Sequence, residues 1–282
     1  MLEYLKKQDE IKKLLIEALN PAFYNCLMPD VQKVVEWHQK TFKGTLQSTT
    51  IEIKDYIPSL PVMQFITLKL KKLLWPTRVG IIGAYVHGSF ANDDYVEGSD
   101  LDLIYVLSDC VAQEYDKFLS LREALIETMP LFFMIDPLQH HGPYILTERM
   151  FHYYLESYLP IDVWKESKRI FGKPKLEFNV VKSPYHDKLW FEKSREYYNG
   201  EIKLDSVYDR KRFVSMATMI PAVTYPYVTG KYTTKAKAIE WFREKYPDSA
   251  VMLCELEIRR NENAYNDVDD LLKEVRKVLA LI

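Results

Sequence analysis

Two aspartates two residues apart, Asp100 and Asp102, follow a Gly88-Ser89 pair after ten intervening residues. Between them runs a loop rich in turn formers, Phe90 to Ser99, and an apolar stretch flanks each end, Val79–His87 before and Leu101–Leu107 after. In a strand, side chains two apart share a face. The two carboxylates therefore project together, while Leu101, Leu103 and Tyr105 pack on the opposite side. Adjacent carboxylates raise each other's pKa unless a cation lies between them. A divalent metal meets that need, and the amides and hydroxyl of a Gly-Ser turn can hold phosphate oxygens. Paired acids, a metal and a phosphate-binding turn together make a nucleotide site. A third acid follows downstream at the end of the apolar run Leu131–Ile135, read as a strand that Pro137 stops. This is Asp136, with Asp162 as its rival.

Elements must exist to position these groups. Leu2, Leu5, Ile11, Leu14, Leu15 and Leu19 lie on helical spacing, so residues 1–19 read as an amphipathic helix ended by Asn20-Pro21. A second helix is predicted after Asp30, and a third over 61–75, before Pro76. Strands at 79–87 and 101–107, a helix over 111–128 and the strand at 131–135 follow. Beyond Pro174 the spacing predicts helices at 185–199, 207–229, 234–246, 248–260 and 266–281. The sequence thus predicts an α/β (α+β) core with a mixed sheet over 61–175, an N-terminal helical extension over 1–60 and a C-terminal helical bundle over 176–282.

Composition narrows the chemistry. The chain has 282 residues, 38 Lys and Arg against 40 Asp and Glu, and a net charge of −2. That length is ample for a core, and the charge argues against duplex nucleic acid as the main partner, which needs a basic footprint. Cys26, Cys110 and Cys254 have neither disulfide-framework nor zinc-ligand spacing, which predicts a reducing cytoplasm. The N-terminus does not read as a signal peptide, and Lys69, Lys71, Lys72 and Arg78 interrupt the longest apolar region.

The pattern Val86-His-Gly-Ser89 … Gly98-Ser-Asp-Leu-Asp-Leu103 resembles the signature of the polymerase-β-like nucleotidyltransferase superfamily. The resemblance implies a core in which Asp100, Asp102 and a third carboxylate, Asp136, hold two Mg²⁺ ions. It implies that Gly88, Ser89 and Ser99 contact the triphosphate of ATP, and that Asp136 serves as general base. Farther on, Tyr227-Val-Thr-Gly-Lys-Tyr-Thr-Thr-Lys235, Ala238-Ile-Glu-Trp241 and Lys245-Tyr-Pro247 are similar to the helical domain of streptomycin/spectinomycin adenylyltransferases. That similarity implies that Lys235 reaches the triphosphate and that Asp209 meets a small hydroxylated acceptor, an aminoglycoside among the candidates. The chain departs from that family in lacking a basic residue before Thr229-Gly-Lys231, and its first sixty residues have no counterpart there. His140-His141 follow Asp136 at the predicted cleft rim. Neighbouring strand residues face opposite ways, so one of the two, His140, is a candidate for substrate binding or proton transfer. The expected reaction is metal-dependent transfer of AMP from ATP with release of pyrophosphate. A protein- or RNA-directed adenylyltransferase of antitoxin type, and a silent nucleotide-binding module, are the alternatives.

Overall fold

The computed structural model describes residues 46–75, 80–109, 111, 114–182 and 184–282. The helices expected at 1–19 and after Asp30 lie outside the described residues.

Two compact units divide the chain. Of the described residues, the first comprises those within 46–95, 99–154 and 164–181. Its centre is a five-stranded mixed sheet in the order β2-β7-β3-β4-β5, built from β2 (Lys54–Asp55), β3 (Ile81–Val86), β4 (Leu103–Leu107), β5 (Tyr144–Thr147) and β7 (Lys168–Gly172). β3 runs antiparallel to both β4 and β7, and β4 runs parallel to β5. All residues of β3 and β4 are buried, which is why these segments read as unbroken apolar runs rather than alternating ones. β1 (Leu46–Glu52), β8 (Lys175–Val181) and β6 (Tyr154–Leu155) form a second, three-stranded sheet. Trp164 sits between Tyr85, Phe151 and Phe178, and its indole N–H donates to the Tyr154 hydroxyl at 2.7 Å. The polar end of a fully buried ring is thereby satisfied.

Helix α1 (Pro61–Leu74) matches the expectation nearly to the residue, and buries Met63, Ile66, Leu70 and Leu74. The short α2 (Ser89–Asn92) follows β3. Helix α3 (Tyr115–Ile135) corrects the strand predicted at 131–135. Phe118, Leu121, Leu125, Met129 and Phe132 are all buried at spacings of three and four, so the final apolar run is the last turns of one long helical face. Its period, not its composition, decided the element. Two further differences concern strands. Residues 46–55, taken from sequence with the helical extension, are β1 and β2. Residues 168–181, read as a basic turn leading into helix, are β7 and β8. In β8, Leu176, Phe178 and Val180 are buried and alternate with the more exposed Glu177 and Asn179, the period-two pattern of a strand with one covered face.

The second unit comprises residues 96–98, 155–163 and 182–282. It is helical: α6 (Pro184–Asn199), α7 (Val207–Ala217), α8 (Ile220–Thr229), α9 (Lys235–Lys245), α10 (Ala250–Asn261) and α11 (Asp269–Ala280). The intervening short helices of the chain are α4 (Glu148–Phe151) and α5 (Ile161–Glu166). The single helix expected at 207–229 is two, because Pro221 cannot donate to the preceding turn and starts α8 instead. In α11, Leu271, Leu272, Val275, Val278 and Leu279 form one buried face. Phe213, Phe242 and Leu256, all fully buried, join it in the core of this unit. No helix among the described residues is long and apolar enough to cross a membrane.

Candidate active site

The antiparallel pairing of β3 with β4 creates the site. Val86 pairs with Leu103, and the ladder runs on by one more bond, from the His87 amide to the Asp102 carbonyl at 3.1 Å. Asp100 and Asp102 thus leave the sheet beside the turn that ends β3. Gly88 there has φ +65° and ψ −151°, a conformation close to glycine-only. A Cβ on it would stand 2.4 Å from Asp102 Oδ2, so the residue's bareness is what admits the carboxylate. Ser89 begins α2 directly after, and Ser99 is buried ahead of Asp100.

Opposite the aspartates lies the loop between α3 and β5. Gln139, fully buried, holds it in place. Its side-chain oxygen accepts from the Leu101 amide at 2.9 Å, and its side-chain nitrogen donates to the Leu101 carbonyl at 3.3 Å and the His141 carbonyl at 2.9 Å. One amide therefore pins the backbone between the two aspartates to the backbone that carries both histidines. His140 Nδ1 lies 3.4 Å from Asp100 Oδ2. His141 Nε2 lies 3.4 Å from Asp102 Oδ1 and 3.9 Å from Asp100 Oδ2. The expectation that only one of the two histidines faces the cleft is corrected. They occupy a loop rather than a strand, and their rings sit edge to face with centroids 4.9 Å apart, both directed at the acids.

Asp136 is not on a strand. It caps the C-terminus of α3, is 3% exposed, and its Oδ1 accepts from the Leu138 amide at 3.0 Å. Among the described residues, the His, Cys, Asp and Glu side chains close enough to share an ion are Asp100, His140 and His141, with ligand atoms all within 4.8 Å. This donor set, with the Asp102 carboxylate against it, fits a divalent cation. His87 and Tyr144 line the same region, their rings 5.6 Å apart. Burial holds the His87 imidazole below its ordinary pKa; Asp102 opposes that shift and His141 adds to it. Burial of its hydroxyl, and then the Asp102 charge, hold the Tyr144 phenol above its ordinary range.

The remaining sequence candidates belong to the helical unit. Asp209 forms a capping box at the start of α7: Ser206 Oγ accepts from the Asp209 amide, and the Asp209 carboxylate accepts from the Ser206 amide at 3.0 Å. Lys235 opens α9 and donates to Thr218 Oγ1 at 2.6 Å. Asp162 lies in the first turn of α5, 3.5 Å from the Thr233 hydroxyl. Sequence reasoning did not single out Gln139. Its 38-residue separation from Leu101 gave no signal beyond the run of polar ring and amide residues, Gln139-His-His141, in an otherwise apolar stretch.

Residues 69–197, from α1 into α6, match the nucleotidyltransferase domain family. No curated protein gives a significant match. Among solved structures the chain is similar to spectinomycin adenyltransferase AAD(9) from Enterococcus faecialis, solved with ATP and spectinomycin. The two are 16% identical, the alignment covers 77% of this chain and 99% of that one, and the TM-score is 0.47. At that score the likeness decides nothing about substrate. The family match covers the Gly88-Ser89 turn, both aspartates and the histidine loop. The similarity to the nucleotidyltransferase domain family thus lies in residues 69–197, the segment that carries the turn, the two aspartates and the histidine loop.

Proposed function

We propose that the chain transfers AMP from ATP to a hydroxyl of a small acceptor, an aminoglycoside among the candidates, and releases pyrophosphate. The observation that carries this reading is the convergence of Asp100 and Asp102 on the Gly88-Ser89 turn within the matched domain. Asp100 and Asp102 are the residues to hold Mg²⁺, which when bound neutralises triphosphate charge and acidifies an acceptor hydroxyl. Gly88 leaves room for phosphate oxygens beside the Asp102 carboxylate, and Ser89 offers its amide and hydroxyl to them. Gln139 keeps the two aspartates from relaxing apart by fixing the backbone between them. ATP as donor, and a small acceptor, are supported by the sequence resemblance through Thr229–Lys235. The near-neutral charge further disfavours duplex nucleic acid as the acceptor.

The test uses ATP labelled at the α-phosphate, Mg²⁺ and a panel of small hydroxylated acceptors including aminoglycosides, with protein and RNA fractions run alongside. The expected result is label on a small molecule with the wild-type chain. None should appear with Asp100→Ala or Asp102→Ala, whose unfolding midpoints stay within a few degrees of wild type. Label in either variant at the wild-type rate rejects the site. Label confined to protein or RNA rejects the small acceptor.

A further inference from the structure

We propose that the cation at Asp100 is held by imidazole nitrogen as well as carboxylate, and that the chain without nucleotide therefore binds Zn²⁺ or Co²⁺ in preference to Mg²⁺. The inference rests on the reading that the Asp100–Asp102 cleft is the cation site of nucleotidyl transfer. It goes further in naming His140 and His141 as ligands and the class of ion they select.

Spacing supplies the first argument. Two ligands about 2.1 Å from one ion stand roughly 3.0–3.4 Å apart in octahedral or tetrahedral geometry. His140 Nδ1 to Asp100 Oδ2, and His141 Nε2 to Asp102 Oδ1, are each 3.4 Å. Those separations exceed a good N–H···O hydrogen bond, which is shorter than about 3.2 Å, and match the edge of a shared coordination shell. The second argument is the His141 ring itself. Its Nδ1 lies 3.1 Å from the Gly142 carbonyl and 3.4 Å from the Gln139 side-chain nitrogen, so the loop holds the ring by that edge and turns Nε2 towards two carboxylate oxygens at 3.4 and 3.9 Å. A carbonyl on the far nitrogen is also the arrangement that orients metal-binding histidines. The third argument is rigidity. Gln139 fixes both backbones, and His140 and Asp100 are only 9% and 15% exposed, so the set is preformed. Two nitrogens beside carboxylate favour the borderline ions over Mg²⁺, which prefers oxygen and keeps its waters.

The experiment is titration of the metal alone into the full chain, cleared of metal by chelator, with ZnCl₂ and MgCl₂ by calorimetry and CoCl₂ by visible absorption. Wild type should take one Zn²⁺ that a hundredfold excess of Mg²⁺ does not displace, and Co²⁺ should give absorption bands of a nitrogen-containing site. His140→Ala and His141→Ala should each weaken Zn²⁺ binding at least tenfold. Exposed His152→Ala should bind as wild type does, and circular dichroism checks that every variant is folded. His141→Gln, which keeps bulk and polarity, should lose affinity as His141→Ala does. Equal competition by Mg²⁺, or unchanged Zn²⁺ binding in both histidine variants, overturns the proposal. Mg²⁺-dependent label transfer alongside absent Zn²⁺ binding would sink this inference and leave the function standing. Tight histidine-dependent Zn²⁺ binding without any label transfer would do the reverse.

Discussion

Replacing Gln139 by Leu keeps the side chain's approximate volume and deletes three hydrogen bonds at once. The Leu101 amide is fully buried and accepts no substitute from water, so its orphaned N–H costs about 1–3 kcal/mol. The Leu101 carbonyl, bonded more weakly at 3.3 Å, adds on the order of 0.5–1 kcal/mol. The His141 carbonyl belongs to a half-exposed residue and regains water, so it adds little. The sum is a destabilisation of roughly 1.5–4 kcal/mol, a large share of the 5–15 kcal/mol typical of a folded domain. Urea unfolding followed by far-UV circular dichroism measures it, with the slope expected to match wild type. The same substitution unties the aspartate backbone from the histidine loop, so label transfer at a temperature where the variant is folded should fall at least tenfold. A loss below about 0.5 kcal/mol, the range of an ordinary surface change, together with unaltered transfer, would refute the idea that this amide clamps the site.

Other perturbations reach the site differently. Gly88→Ala forces a side chain into a conformation of φ +65° and places its Cβ 2.4 Å from Asp102 Oδ2. It should cost about 1–3 kcal/mol in backbone strain and abolish most transfer, and a kinetically normal alanine variant would show that the carboxylate is not held there. His87 gives a pH signature. Its folded pKa is depressed by burial, so below about 6.5 the unfolded chain takes up a proton that the folded one refuses. Stability therefore falls as pH drops through the window between 6.5 and the lower folded value, by up to about 1.4 kcal/mol per pH unit from this residue. His87→Phe removes that slope, so the difference between variant and wild type should shift in the variant's favour from pH 6.5 to 5.5; parallel curves in urea titrations at the two values would contradict it.

Strong periodicity made α1 and the C-terminal helices legible, since Ile66, Leu70 and Leu74, or Leu271, Val275 and Val278, need only the local helical repeat to share a face. The Gly-Ser turn and the paired aspartates were legible for the same local reason: a tight turn needs glycine, and a two-residue spacing aligns side chains wherever the chain is extended. What failed did so where local signals conflict. The run 131–135 has strand composition but continues the helical face of α3. The alternation in β8 spans only Leu176, Phe178 and Val180 and directly follows the basic turn at Arg169–Lys175, too short a run to stand out from the helices after it.

The amino-acid order alone thus determined that two acids and a Gly-Ser turn share one loop, because all of them lie within a hairpin's length of chain. Only the tertiary structure decided what stands opposite. Gln139 and the two histidines are some forty residues away, and packing α3 onto the sheet delivers them to Asp100 and Asp102. Spacing along a chain carries no information about such a meeting. It is set by where a buried amide can satisfy both the N–H and the C=O of Leu101, a condition that exists only once the core has closed.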